Sequence, residues 1–399
     1  MDTANQISAN EKRLLALLSA ALRKECQSTD AEEKDYRDIL AMARVQGITP
    51  LLFDAIADAD VPASFRIPIL QSARVCAHRA YTLLYENYRL TEALLSRGIT
   101  PITLKGAATA SLYPTREFRK YGDIDLFLAK EEDFAAATDI LKELSYVEEE
   151  AQPALHHLAL RHTEGFLVEL HNLLVEPFAN ETVNQYLAEI GRTFPEHTEE
   201  NTAWGVRIYS LTDGYHAFYL MLHMLQHYMR RGFGLRNLCD WVVFWNRDIA
   251  PEECEIFRTL VQKSGTAGFV SCISLVCIRY LQMSDRYQDL LITSPVTDED
   301  AAELLREILD GAEFGNEDSS RMVTLTGGHL TDYIREFHHQ TKLSYPRASR
   351  LILTYPVLWC LTLLRFLKNN RTVRNQSAST FLVSAKKRSK LTEHMRLFQ

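Results

Sequence analysis

Asp123 and Asp125 flank Ile124 in the run Gly122-Asp123-Ile124-Asp125-Leu126-Phe127. The apolar neighbours make this run a strand candidate, and side chains in a strand alternate between faces. Both carboxylates therefore share one face, with Ile124 and Leu126 on the other. Two acids on one face repel unless a cation lies between them. Oxygen ligands of this kind suit a hard divalent ion, Mg²⁺ above all. Upstream, Ile99 to Leu104 reads as a strand that Lys105-Gly106 breaks, and Ala107 to Leu112 opens a helix. Gly106 would let backbone approach a phosphate, and Lys105 could neutralise one. Downstream, alternation through Phe166 to His171 puts Leu167, Glu169 and His171 on one face and Val168 and Leu170 on the other.

Other residues with chemistry lie around these. Arg119 could hold a phosphate or salt-bridge Asp125. His171 could touch a metal, cap its strand, or orient Glu169 through a hydrogen bond, and the last is the preferred reading. His223 and His227 stand four apart on a candidate helix, a spacing that zinc ligands use. No Glu follows His223, so a buried, hydrogen-bonded pair facing the sheet is the simpler expectation. Arg236 and Asp240, also four apart, read as a helix-surface ion pair. His156, His157 and His162 have no companion acids at set spacing and read as ordinary hairpin residues. Trp204, Trp241, Trp245 and Trp359 read as core.

The elements that must position these groups follow from periodicity. Ser8-Ala9-Asn10-Glu11 has capping-box spacing, with Leu14, Leu15, Leu18 and Leu22 on one side of the helix that follows. A second helix spans Glu32 to Gln46. A long one spans Ile69 to Arg97, anchored by Val75, Leu83, Leu84, Leu90 and Leu94 and ended by Gly98. Glu131 to Leu144 is a helix and Tyr146 to Glu149 a short strand. His156–His162 and Phe166–His171 form a hairpin turning at Glu164-Gly165. From Thr212 onward the pattern is helical: to Phe244 with a break at Gly232-Phe233-Gly234, then through Glu252 to Gln282 and Ala301 to Leu309. The expected fold class is α+β, a small mixed sheet flanked by helices with a larger, mostly helical C-terminal half. We divide it into N-terminal helices packed on the core (1–98), the α+β core (99–178), a helical domain (179–341) and a basic helix and tail (342–399).

Bulk properties narrow the classes. The 399 residues are 46% hydrophobic and 24% charged, so the chain can bury a full core. Seven cysteines with no Cys-x-x-Cys pair argue for reduced thiols, and Met1-Asp2-Thr3-Ala4-Asn5 lacks signal-peptide character, so a cytoplasmic location is expected. Net charge is −8, unevenly spread. From Lys342 onward there are twelve Lys and Arg against Glu393 alone, a net +11, which leaves −19 for residues 1–341. An acidic body disfavours a large RNA partner. Leu351 to Leu367 is the most apolar run, only as long as the shortest spanning helices, and is followed by Lys368, Arg371, Arg374 and Lys386-Lys387-Arg388. The simple reading is a helix packed on the body with a solvated basic end; the rival is an anchor on an anionic membrane surface.

Five features occur in order: Lys105-Gly106, Tyr113-Pro114, Arg119 with Gly122-Asp123-Ile124-Asp125-Leu126, Glu169-Leu170-His171, and the helical pair His223-Met224-Leu225-Gln226-His227 and Arg236-Asn237-Leu238-Cys239-Asp240-Trp241. Together they resemble an uncharacterised bacterial family of the nucleotidyltransferase superfamily. The superfamily's usual phosphate loop is Gly-Gly or Gly-Ser, whereas this chain has Lys105-Gly106-Ala107, the narrower family's Lys-Gly form. The resemblance implies Mg²⁺-dependent transfer of a nucleoside monophosphate from an NTP, ATP among them, to an acceptor, with Mn²⁺ able to substitute and two ions able to act. It implies Asp123, Asp125 and Glu169 as catalytic metal ligands. Lys105, Gly106, Ala107, Arg119 and Gly122 would bind nucleotide, and His171, His223, His227, Arg236 and Asp240 would support them or line the acceptor side. A small molecule or peptide acceptor fits the acidic body better than a large RNA. Two rival functions are a catalytically inactive nucleotide- or partner-binding module on the same scaffold and a metal-dependent hydrolase using the histidines.

Overall fold

Ser8 caps the first helix in both directions: Ser8 Oγ accepts from the Glu11 amide at 3.2 Å, and Glu11 Oε2 accepts from the Ser8 amide at 2.6 Å. The computed structural model describes residues 7–149, 156–230, 232–312, 330–345, 348–373 and 390–398. Helix α1 (Ala9–Leu22) is followed by α2 (Glu33–Val45), α3 (Leu52–Ile56) and α4 (Ala63–Leu95), the last 33 residues long. Helix α4 buries Phe65, Ile69, Ala73, Ala80, Leu83, Leu84, Leu90 and Leu94. Val75, expected among these anchors, is 71% exposed. At 3.6 residues per turn it lies about 200° around the helix from Ala73, off the buried stripe.

The sheet comes next. Strand β1 (Ile102–Thr103) leads through α5 (Ala107–Ala110) to β2 (Asp123–Phe127) and α6 (Glu131–Glu143). Then come β3 (Tyr146–Glu148), β4 (His157–His162) and β5 (Leu167–His171). Strand β1 is shorter than the apolar run suggested, because Pro101 has no amide to donate to a ladder. The order is β1-β2-β5-β4-β3, with β2 and β5 parallel and the other neighbours antiparallel. The hairpin turns where expected, with Gly165 at φ +90°. One face of the sheet, carrying Ile124, Leu126, Leu160, Val168 and Leu170, is fully buried in a core shared with α4 and α6. Burying each such side chain contributes about 1.5–3 kcal/mol, which holds the strands in register and so fixes which side chains face the other way.

The helical half then forms. It runs α7 (Glu181–Thr193), a hairpin of β6 (Thr198–Asn201) and β7 (Ile208–Leu211), α8 (Asp213–Arg230), α9 (Leu235–Trp245) and α10 (Pro251–Ser264). It continues with α11 (Ala267–Leu281), α12 (Gln288–Leu291), α13 (Asp298–Leu309), α14 (Leu330–Ser344) and α15 (Tyr355–Val373). The helical stretch from Glu252 to Gln282 is split at Gly265, which closes α10 in the left-handed conformation. Helix α1 packs on α9 and α11, so the N-terminal helices share the core of the helical half. Helix α4 is the one among them that crosses onto the sheet.

The C-terminal expectations need correction. Helix α15 rests on α14 and buries Leu358, but Leu353 is 94% exposed, and Val357, Leu361, Leu363 and Leu364 are exposed as well. Trp359, expected in the core, is 40% exposed; Trp241 and Trp245 are buried and Trp204 is half-buried. Among the described residues no helix is long and apolar enough to cross a membrane. Arg374 and Lys386-Lys387-Arg388 lie outside the described residues. The end of the chain folds back: Leu391, Met395 and Leu397 are each 1% exposed, and the Phe398 amide donates to the Gly265 carbonyl at 2.7 Å.

Candidate active site

Asp125 is the register partner of Glu169 on the adjacent parallel strand. Register partners share a face on strands about 4.8 Å apart, so the two carboxylates lie abreast. His171, two residues on from Glu169, joins them. One ligand atom each from Asp125, Glu169 and His171 lies within 4.8 Å of the other two. His171 Nε2 is 3.1 Å from Asp125 Oδ1 and 3.5 Å from Glu169 Oε2. Asp123 shares the face and lines the cavity mouth. The expected three-carboxylate convergence is therefore altered: His171, rather than Asp123, completes the close group. The expectation that His171 orients Glu169 matches its contacts, and it grips Asp125 as well.

Cations offset the clustered acids. Lys105 Nζ is 3.5 Å from Asp125 Oδ1 and donates to His223 Nε2 at 3.0 Å. Burial pulls the Lys105 pKa down, but Asp125, Asp123 and Glu169 outweigh it and the net shift is upward. Burial likewise pulls His171 down, and its bonds to Asp125 and Glu169 reverse this to about 9. Glu169 moves the other way: burial raises it, and His171 with His157 lowers it further than burial lifts it. Asp125 is 1% exposed, yet its Oδ2 has no hydrogen-bond partner. A buried carboxylate oxygen without a partner is costly, and a divalent ion is a partner of the right charge. The residues therefore fit a metal ion held by Asp125 and Glu169, with Asp123 close by.

The Lys105-Gly106 turn is held in place from several sides. Gly106 adopts φ +60°, ψ −114°, which an L side chain resists. Thr109 Oγ1 bonds His216 Nε2 at 3.1 Å, tying α5 to α8, and Trp204 Nε1 donates to the Ala107 carbonyl at 2.9 Å. Ala107 is 2% exposed and packs in the core beneath the sheet, so it is not a cavity wall as the motif suggested. Lys105, Gly106 and Gly122 do line the cavity, and the Gly122 carbonyl accepts from Arg79.

Two pairings differ from expectation. Arg119 does not reach for Asp125: its Nε and Nη2 fork onto Asp240 Oδ1 and Oδ2, each at 2.7 Å. Asp240 also accepts from Tyr113 Oη at 2.6 Å and is 6% exposed, so it is no surface partner of Arg236. The planar guanidinium and carboxylate match edge to edge, which explains the choice. Arg236 instead donates to the Lys120 carbonyl at 2.8 Å. The His223–His227 pair faces the sheet as expected, with Nε2 atoms 3.1 Å apart, although both rings are half-buried. Burial and then Lys105 drive the His223 pKa well down, which leaves a neutral ring able to accept from Lys105.

His156 and His157 are the residues that sequence reasoning passed over. His157 is the register partner of His171 across the hairpin, and His157 Nε2 lies 3.8 Å from Glu169 Oε1. The signal was present in the turn: a hairpin centred on Glu164 pairs residues whose numbers sum to 328, which puts 157 opposite 171. His162 stays ordinary, packed between Tyr146 and Phe166.

Lys105, Gly106, Asp123, His157, Glu169 and His171 line a cavity of about 630 Å³ between the sheet and α8–α9, with Tyr219, Lys120, Arg230 and Arg236 also in its walls. That volume suits a nucleotide-sized ligand. A search of curated proteins finds no match to this chain. The family described as uncharacterised nucleotidyltransferase matches residues 32–282, well over half of the 399. That span holds the Lys-Gly turn, both acidic strands and the helices that close the cavity, and the chain belongs to this uncharacterised nucleotidyltransferase family.

Proposed function

We propose that the chain is a metal-dependent nucleotidyltransferase that moves a nucleoside monophosphate from an NTP to a small-molecule or peptide acceptor. The observation that carries this is the partnerless, buried Asp125 Oδ2, abreast of Glu169, which with Asp123 and Lys105-Gly106 lines a nucleotide-sized cavity. Asp125 and Glu169, with Asp123, would hold Mg²⁺, or Mn²⁺ in its place. A bound ion of this kind neutralises phosphate charge and lowers the pKa of an acceptor hydroxyl. Lys105 supplies a fixed positive charge at the phosphates. His171 keeps both carboxylates oriented through its Nε2 proton. Arg119 acts at one remove, bracing the Gly106 turn against α9, with Nη1 3.4 Å from the Gly106 carbonyl.

The test is thermal stabilisation by a non-hydrolysable NTP with and without Mg²⁺, in wild type and Asp125→Asn, followed by pyrophosphate release. We expect a shift that needs both ligands in the wild type and vanishes in the variant, with release falling by about 100-fold or more. A shift with NTP that ignores Mg²⁺ and Asp125 would instead favour the non-catalytic binding module. The exposed apolar face of α15, in a region with a net charge of +11 from Lys342 onward, supports peripheral contact with an anionic surface. Cosedimentation with anionic but not neutral vesicles is the expected outcome.

A further inference from the structure

Behind the carboxylates lies a second group of ligating side chains. One ring nitrogen each from His156, His157 and His171 lies within 4.8 Å of the other two. His156 Nε2 and His157 Nδ1 are 3.0 Å apart. Consecutive residues in a strand point to opposite faces, but His156 sits just ahead of β4. Its carbonyl accepts from the Asn172 amide at 3.2 Å, which pins it beside the end of β5 and lets both rings turn toward His171. His156 is 8% exposed and His171 3%. The Nδ1 atoms of both are buried with no hydrogen-bond partner.

Two buried imidazole nitrogens without partners in one cluster are costly unless something binds them. Imidazole is a poor ligand for Mg²⁺ and a good one for zinc and its neighbours. We propose that His156, His157 and His171 form a transition-metal site of the Zn²⁺ class, distinct from the carboxylate site and joined to it through His171. His171 Nε2 bonds Asp125, which is the carboxylate–histidine–metal arrangement that fixes a ring's orientation and raises its basicity. Three nitrogens leave a fourth position for water or substrate.

The experiment needs no nucleotide, so its failure leaves the nucleotidyl-transfer reading untouched. Full-length protein is dialysed against a chelator and titrated with Co²⁺, followed by visible absorption, and then with Zn²⁺ as competitor. The expected result is an intense band of four-coordinate, nitrogen-ligated Co²⁺, bleached by about one equivalent of Zn²⁺. His156→Ala and His157→Ala should each weaken Co²⁺ binding at least about tenfold, as should His157→Gln, which keeps bulk in the hairpin. His162→Ala, on the same hairpin and outside the cluster, should bind as wild type does. Circular dichroism confirms that the variants compared are folded. Absence of the band in the wild type, or wild-type affinity in folded His156→Ala and His157→Gln, overturns the proposal.

Discussion

The Arg119–Asp240 fork offers a decision between two roles for Arg119, phosphate hand or internal brace. Both nitrogens of the fork are 2.7 Å from their oxygens, Arg119 is 2% exposed and Asp240 6%, and Tyr113 Oη donates to the same carboxylate. Removing one partner of such a pair leaves the other charged and buried, which costs about 3–5 kcal/mol. Unfolding entropy near 2.1 cal/mol/K per residue gives roughly 0.8 kcal/mol/K for a chain of 399 residues. Asp240→Asn and Arg119→Met should therefore each lower Tm by about 4–6 °C, measured by calorimetry or intrinsic fluorescence. Arg119→Met with Asp240→Leu and Tyr113→Phe replaces charge with apolar volume and should lose less than either single variant. The pH dependence has a defined sign. Burial raises the Asp240 pKa, but Arg119 outweighs it and the folded value lies below 3.8. The stability this provides is present above pH 3.8 and is lost as pH falls through the folded pKa, and Arg119→Met should flatten that loss. The brace is refuted if Arg119→Met leaves Tm within about 1 °C of wild type while Mg²⁺–NTP affinity drops about tenfold or more, the pattern of a phosphate ligand.

Three further outcomes follow from the same geometry. Gly106→Ala places a side chain at φ +60°, ψ −114°, so stability should fall by about 1–3 kcal/mol in urea unfolding and NTP affinity should fall with it as the turn relaxes. A Cβ at Gly268 would sit 1.7 Å from the Met395 carbonyl oxygen, and backbone there cannot yield without undocking the chain end. Gly268→Ala should therefore cost about 1–3 kcal/mol and speed proteolysis after Lys390, with the sheet's hydrogen-exchange protection unchanged. In chelator-treated protein His171 has its pKa raised to about 9 from 6.5. Its contribution is then whole below pH 6.5 and lost as pH rises toward 9, so a Tm decline across that window should be present in wild type and absent in His171→Gln.

Which parts of this site were legible in the sequence depends on whether geometry was local. Strand phase is local: alternation alone placed Asp123 with Asp125 on one face of their strand and Glu169 with His171 on one face of theirs, and burial of Ile124, Val168 and Leu170 behind them enforces it. The break at Lys105-Gly106 and the turn at Gly165 were equally local, since each rests on a backbone conformation that glycine alone accepts easily. Partner choice was not. Arg236 and Asp240 are neighbours on α9, but the carboxylate turns inward because a fork from Arg119, 121 positions earlier, matches it at both oxygens. The exposed apolar face of α15 was hidden for a similar reason, because hydrophobicity says that a residue gains by burial and not whether a surface exists to bury it. His156 and His157 fall between these cases. No periodicity marks them as ligands, yet the hairpin register that puts His157 opposite His171 is fixed by the turn at Gly165. Pairing arithmetic across a tight turn therefore extends local reasoning to contacts between strands. It places His157 on the acidic face beside Glu169 and His171, and with it the question of which metal this chain prefers.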